Sequence, residues 1–206
     1  LFAPIRAAAA ALCLLALPLT AQAAAPIQRI VTPGGIEAWL VGEYTIPMVA
    51  LEISFEGRAV IDPPEQAGAA NFLAAMLEEG AGDLDSVAFA EAVQMTGMRA
   101  SFGAGRETVS VSARMLTETL DESLRLLRLA LHEPRFDGPA LERVRAQIVS
   151  GLRSDEADPD SLAGDAFFSR AFPDDPYGRD PDGTIDTVAA MTADDLRAAQ
   201  ARHLTR

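Results

Sequence analysis

The chain has 206 residues, with 17 arginines, no lysine, 30 acidic residues and a formal net charge of −13 at pH 7. Such acidity without a basic patch argues against nucleic acid and against anionic membrane surfaces as partners. The one cysteine, Cys13, lies in an N-terminal apolar run, so the exported chain would carry no disulfide and no cysteine metal ligand.

That run reads as a secretory signal over residues 1–23: Arg6, then apolar residues from Ala7 to Leu19, then Ala21-Gln22-Ala23 as the cleavage site. It is too short to span a bilayer comfortably. A domain over residues 24–206 is expected to follow, in an exported protein placed in a bacterial periplasm, where disulfides are permitted but not required. Residues 27–31 and 36–41 flank Pro33-Gly34-Gly35 and predict a hairpin. Val49, Leu51, Ile53 and Phe55 alternate along a strand over 48–55, expected to share one half-buried sheet with the hairpin. A helix is expected over 66–78, ended by Gly80 and Gly82, and another over 87–95, capped by Asp85-Ser86 and stopped by Gly97. Strands are expected over 99–102 and 108–113. Leu120, Leu124, Leu127 and Leu131 mark the apolar stripe of a helix over 119–131. Helices over 138–155 and 160–171, a surface loop over 174–182, and a last helix through His203, opened by a box-like Thr192-Ala193-Asp194-Asp195, complete the chain. Mixed strands and helices without βαβ alternation predict an α+β fold, a largely antiparallel sheet with helices packed on one face.

Within the first long helix, Ala69 to Gly80 reads Ala-Ala-Asn-Phe-Leu-Ala-Ala-Met-Leu-Glu-Glu-Gly. It resembles the inverted zinc helix of the pitrilysin and insulinase family, A-H-F-L-E-H-M-L-F-x-G. In that helix, residues at i, i+3 and i+4 share one face and supply ligand, base and ligand. Phe72, Leu73, Met76, Leu77 and Gly80 match the scaffold, whereas Asn71, Ala74 and Ala75 stand where the chemical groups belong. Further segments are similar to the family in the same order. They are Arg106-Glu107-Thr108, Glu133-Pro134-Arg135-Phe136 with Leu141-Glu142-Arg143, Asp158-Pro159 with Phe167-Phe168, Asp175-Pro176-Tyr177-Gly178-Arg179, Gly183-Thr184-Ile185, and Met191-Thr192 with Asp195-Leu196. Aligned on Leu141-Glu142-Arg143, the family's third ligand falls on Ser150, with Gly151 beside it.

The resemblance implies a pitrilysin/LuxS-like metallohydrolase fold in a subunit similar to those of mitochondrial processing peptidase. With Asn71, Ala74, Ala75 and Ser150 at the degenerate positions, it implies no catalytic residue and no metal ligand in this chain. Zinc is then expected in a metal-bearing paralogous subunit, with which the chain would form a heterodimer enclosing peptide substrates. The alternative is a structural or assembly scaffold of the same fold with no part in proteolysis. Family subunits join two such halves, and the second carries the Arg and Tyr that touch substrate. Beginning with Leu and stopping where that half would follow, the chain reads as a fragment.

Other candidates have plainer readings. His132 and His203 lack partners at i+3 or i+4 and read as structural, His132 at a helix C-terminus. Glu78, Glu79 and Glu107 could gather around a hard cation, though carboxylates at a helix end more often form a solvated face. Glu107 is expected to be either a leftover of the active site or a substrate contact.

Overall fold

A computed structural model of the chain describes residues 26–56 and 59–205. The expected signal over residues 1–23 and Cys13 lie outside them. The chain divides into two compact units, Leu1–Ile46 and Pro47–Arg206.

The first unit contains the expected hairpin, β1 (Ile27–Val31) and β2 (Glu37–Val41), antiparallel with Val31 opposite Glu37. Gly35 takes φ 84° in the turn, and its N–H donates to the Thr32 carbonyl at 2.9 Å. Glu37 accepts from both Arg29 (2.7 and 2.8 Å) and the Trp39 indole (2.9 Å), fixing the register by side chains as well.

The second unit holds a separate three-stranded sheet of β3 (Met48–Phe55), β4 (Arg99–Ala104) and β5 (Val109–Leu116), ordered β3-β5-β4 and antiparallel throughout. This corrects the expectation of one sheet from the hairpin onward. Among the described residues the hairpin strands pair only with each other, and β3 finds its partner 60 positions downstream, with Glu52 opposite Ser112. Alternation along β5 buries Val109, Val111, Ala113 and Met115. The opposite face is polar, with the Ser112 hydroxyl donating to Glu52 at 2.6 Å.

Seven helices lie among the described residues: α1 (Ala69–Met76), α2 (Ser86–Thr96), α3 (Leu120–His132), α4 (Gly138–Asp155), α5 (Pro159–Ala171), α6 (Ile185–Ala190) and α7 (Ala193–His203). None is long and apolar enough to cross a membrane. Helices α2 and α3 cover the apolar sheet face, where Phe89, Leu126, Leu127 and Ala130 join Val111, Ala113 and Met115 in one cluster. Helices α1, α4, α6 and α7 build a second cluster from Phe72, Leu73, Met76, Leu141, Val144, Val188 and Leu196, and Phe102 and Leu131 touch both. The expected α+β arrangement with helices on one sheet face is therefore present.

Local chemistry accounts for most boundaries. Asp85 caps α2 by accepting from the Ala88 N–H at 2.9 Å, and Gly97 ends it at φ 68°. Thr192 and Asp195 form the anticipated box at the start of α7, with aspartate serving where glutamate is usual. Helix α1 is shorter than expected because Gly68 (φ 90°) breaks it from a 3₁₀ turn at Pro64–Gln66. The short α6 was not expected; its own capping box uses Thr187 in place of an acidic or amide residue.

Helix α3 is rotated relative to the leucine stripe, with Leu127 buried, Leu120 and Leu131 partly buried against the sheet cluster, and Leu124 turned outward. It buries Ser123, Leu126, Leu127 and Ala130, while Leu124 is 41% exposed. Small Ser123 and Ala130 occupy buried positions on that face. The Ser123 hydroxyl is fully buried without a hydrogen-bond partner among the described residues. Ser123→Ala is therefore expected to raise stability by about 1 kcal/mol in urea denaturation, and a loss of similar size would show that the hydroxyl has a partner.

Candidate functional site

Asn71, Ala74 and Ala75 lie on α1 at the spacing that shares one helical face. Ala74 is 2% exposed and makes part of the core. Ala75 is partly buried against the same apolar cluster that takes Ile148, Val149 and Leu152 from α4. Ser150 is exposed on α4. A three-ligand zinc site needs three nitrogen, sulfur or carboxylate donors. These four positions offer a carboxamide, two methyl groups and an exposed hydroxyl, so they do not fit the metal. Among the described residues, no three His, Cys, Asp or Glu side chains gather as a metal-binding group.

Glu78, Glu79 and Glu107 do not come together. Glu79 accepts from Arg143 (2.9 Å, with a second, shorter contact) and from the Ser86 hydroxyl (2.5 Å). Burial alone would raise its carboxyl, but the Arg143 and Ser86 hydrogen bonds hold it below its ordinary value. Glu107 accepts from the Tyr177 hydroxyl at 3.3 Å. His132 is exposed at the end of α3.

The other motif residues form a structural clamp. The Arg106 guanidinium lies 3.8 Å from the Phe168 ring centroid and donates to the Tyr177 carbonyl at 2.9 Å and to the Arg179 carbonyl. Arg179 donates to the carbonyls of Asp62 (3.0 Å) and Val60 (3.2 Å). Tyr177 packs edge-on against Phe172, centroids 5.0 Å apart. Arg145 donates to the carbonyls of Val188, Ala189 (3.1 Å) and Met191 (2.7 Å), satisfying the C-terminal end of α6 with a cation. Gly68 and Gly183 meet backbone to backbone. A Cβ on Gly68 would collide with the Asp182 carbonyl, and one on Gly183 with that of Ala67.

His203 is structural, and its partner is a residue the sequence did not single out. Asp62 and His203 are both buried, with His203 Nε2 2.7 Å from Asp62 Oδ1. The other Asp62 oxygen accepts from the Ala70 N–H at 3.0 Å, capping the first turn of α1, and Arg202 Nη2 lies 3.4 Å from Oδ1.

The segment after Tyr177 is less exposed than a surface loop. Asp180 and Asp182 are half-buried, and burial pushes both carboxyls above the usual aspartate range. Asp180 raises Asp182 further, Asp165 and Asp155 reinforce the rise for both, and it is opposed by Arg106 at both and by the Asp182 backbone N–H at Asp180. These groups hold protons more readily folded than unfolded, so their contribution to stability grows as pH falls from neutral through their raised values. Asp180→Asn/Asp182→Asn is expected to melt above the wild type at pH 7, the gap closing as the pH falls. A gap that widens on acidification would contradict this.

The family model described as Insulinase (Peptidase family M16) matches residues 44–183, most of the chain. The chain belongs to the insulinase family. It is 27% identical over 154 residues to the Non-peptidase homolog YmxG of Helicobacter pylori, covering 75% of this chain and 36% of that protein. An uncharacterized zinc protease of Mycobacterium leprae is 27% identical over 139 residues, covering 68% and 31%. The chain thus spans about a third of the length of the curated relatives it matches. The crystal structure of a peptidase M16 inactive domain from Pseudomonas fluorescens superposes with a TM-score of 0.80 at 25% identity, covering 85% of this chain and 43% of that one. Pitrilysin itself shares the fold, with a TM-score of 0.75 at 16% identity over 90% of this chain and 20% of that one. Non-peptidase and inactive members are thus among this insulinase-family chain's relatives, consistent with the apolar packing at Ala74 and Ala75.

Proposed function

We propose that this chain is part of a non-catalytic subunit of an M16-type zinc peptidase, helping a metal-bearing partner subunit enclose and bind peptide substrates. The observation that carries the reading is the α1 face, where Ala74 and Ala75 are packed as core and leave nothing to activate water. Strand β4 supports the peptide-binding half of the proposal. It ends the sheet order, so its outer N–H and C=O groups pair with no described strand and can accept an extended peptide by β-augmentation. Zinc belongs to the partner, and the subunit works after export, in a bacterial periplasm.

The test is a pull-down of the full-length protein from its native host, assayed for peptide hydrolysis with and without a zinc chelator. Chelator-sensitive hydrolysis in the pull-down, absent from the protein purified alone, supports the reading. A pull-down with no hydrolysis favours a scaffold of the same fold.

A further inference from the structure

Helix α5 carries no buried residue, and its two faces differ. Phe168 and Phe172 turn inward, with ring centroids 6.0 and 5.0 Å from that of Tyr177, and Arg106 lies over Phe168. With about 3.6 residues per turn, Ala163, Ala166, Phe167 and Arg170 share the opposite face. All four are exposed there, along a shallow groove. Phe167 is 63% exposed, yet its ring is held edge-on against Phe168 with centroids 5.3 Å apart. The outer face is thus a fixed aromatic ridge beside a valley floored by two alanines. Asp160 and Arg170 stand exposed toward its two ends, and neither side chain makes a hydrogen bond or ion pair among the described residues.

These positions carry a two-fold symmetry. Asp160 and Arg170 lie five residues either side of Asp165, and Ala163 and Phe167 two residues either side of it. Asp165 itself faces the turn at Asp180 and Asp182 and stays out of the way. A second α5 laid antiparallel about an axis at position 165 therefore satisfies both pairs at once. Phe167 of each copy enters the alanine valley of the other beside Ala163, and Arg170 of each meets Asp160 of the other. Ridge, valley, anion and cation are all supplied by the same thirteen residues in the order an isologous contact needs. Such a contact is about 20 Å long, which belongs with small interfaces and weak, reversible association.

We propose that the outer face of α5 is a self-association surface that pairs two copies of this chain antiparallel through Phe167 and the Asp160–Arg170 ion pairs. It uses none of the residues invoked for peptide binding and does not depend on that reading. The test is sedimentation velocity of the full-length protein in 0.15 M salt, which screens the repulsion between two acidic chains. A monomer–dimer equilibrium is expected with a dissociation constant on the order of 100 μM. Asp160→Arg and Arg170→Asp, both at exposed positions, are each expected to weaken self-association at least about tenfold, because each places like charges opposite one another. An equimolar mixture of the two variants is expected to dimerise as the wild type does, since each then offers the charge the other lacks. Recovery on mixing cannot arise from misfolding of either variant. A wild type that stays monomeric up to 1 mM overturns the assignment, as does a dimer that both charge reversals leave unchanged, or a mixture that associates no better than either variant alone.

Discussion

Asp62→Ala is expected to destabilise the fold by about 3–5 kcal/mol in urea denaturation at neutral pH, the usual cost of removing one partner of a buried pair. Asp62 is 2% exposed and its carboxylate holds three partners on two helices at once. It meets His203 Nε2 at 2.7 Å on α7, accepts from the Ala70 N–H at 3.0 Å at the start of α1, and lies 3.4 Å from Arg202. Alanine would leave a buried imidazole without this partner and a buried helix start without its cap. Asp62→Asn retains an acceptor for Ala70 and is expected to lose less. A loss below about 1 kcal/mol for the alanine variant would mean that water or another group replaces the carboxylate easily.

Ala74→Glu is expected to have an effect of similar size for the opposite reason. Position 74 is where the family's active helix carries its base, so the substitution restores a catalytic group to its sequence position. Here that position is 2% exposed among apolar neighbours, and an unpaired carboxylate buried there would cost on the order of 3–5 kcal/mol. Ser150→Glu, at the exposed third-ligand position, is expected to stay within about 0.5 kcal/mol of wild type. Comparing the two by chemical denaturation separates a repacked core from a surviving polar cavity. If Ala74→Glu were tolerated as well as Ser150→Glu, the α1 face would be hydrated and the repacking account would fail.

Much of this architecture is legible in the sequence because it is written locally. Helix α4 falls on the expected residues because Gly138-Pro139 opens it and its apolar residues recur at helical spacing. The caps of α2 and α7 and the hairpin turn are likewise encoded within a few residues. The family resemblance was legible too, because Phe72, Leu73, Met76 and Leu77 preserve the pattern of its helix. What escaped was non-local or depended on facing. The Asp62–His203 pair joins residues 141 positions apart, and nothing near Asp62 distinguishes it from the other aspartates. The buried face of α3 is centred on Ser123, Leu126, Leu127 and Ala130, which a stripe of leucines does not reveal. Arg106, Tyr177 and Arg179 stand out as motif residues, yet only their hydrogen bonds to Val60, Asp62 and one another identify them as a clamp.

The most direct test of the central claim, that this insulinase-family chain carries the fold without the zinc chemistry, is the zinc content and peptidase activity of the purified full-length protein. After dialysis against micromolar zinc, the account expects far less than one zinc per chain and no chelator-sensitive hydrolysis of an unstructured peptide. One tightly held zinc per chain, accompanied by hydrolysis that a chelator abolishes, would contradict it.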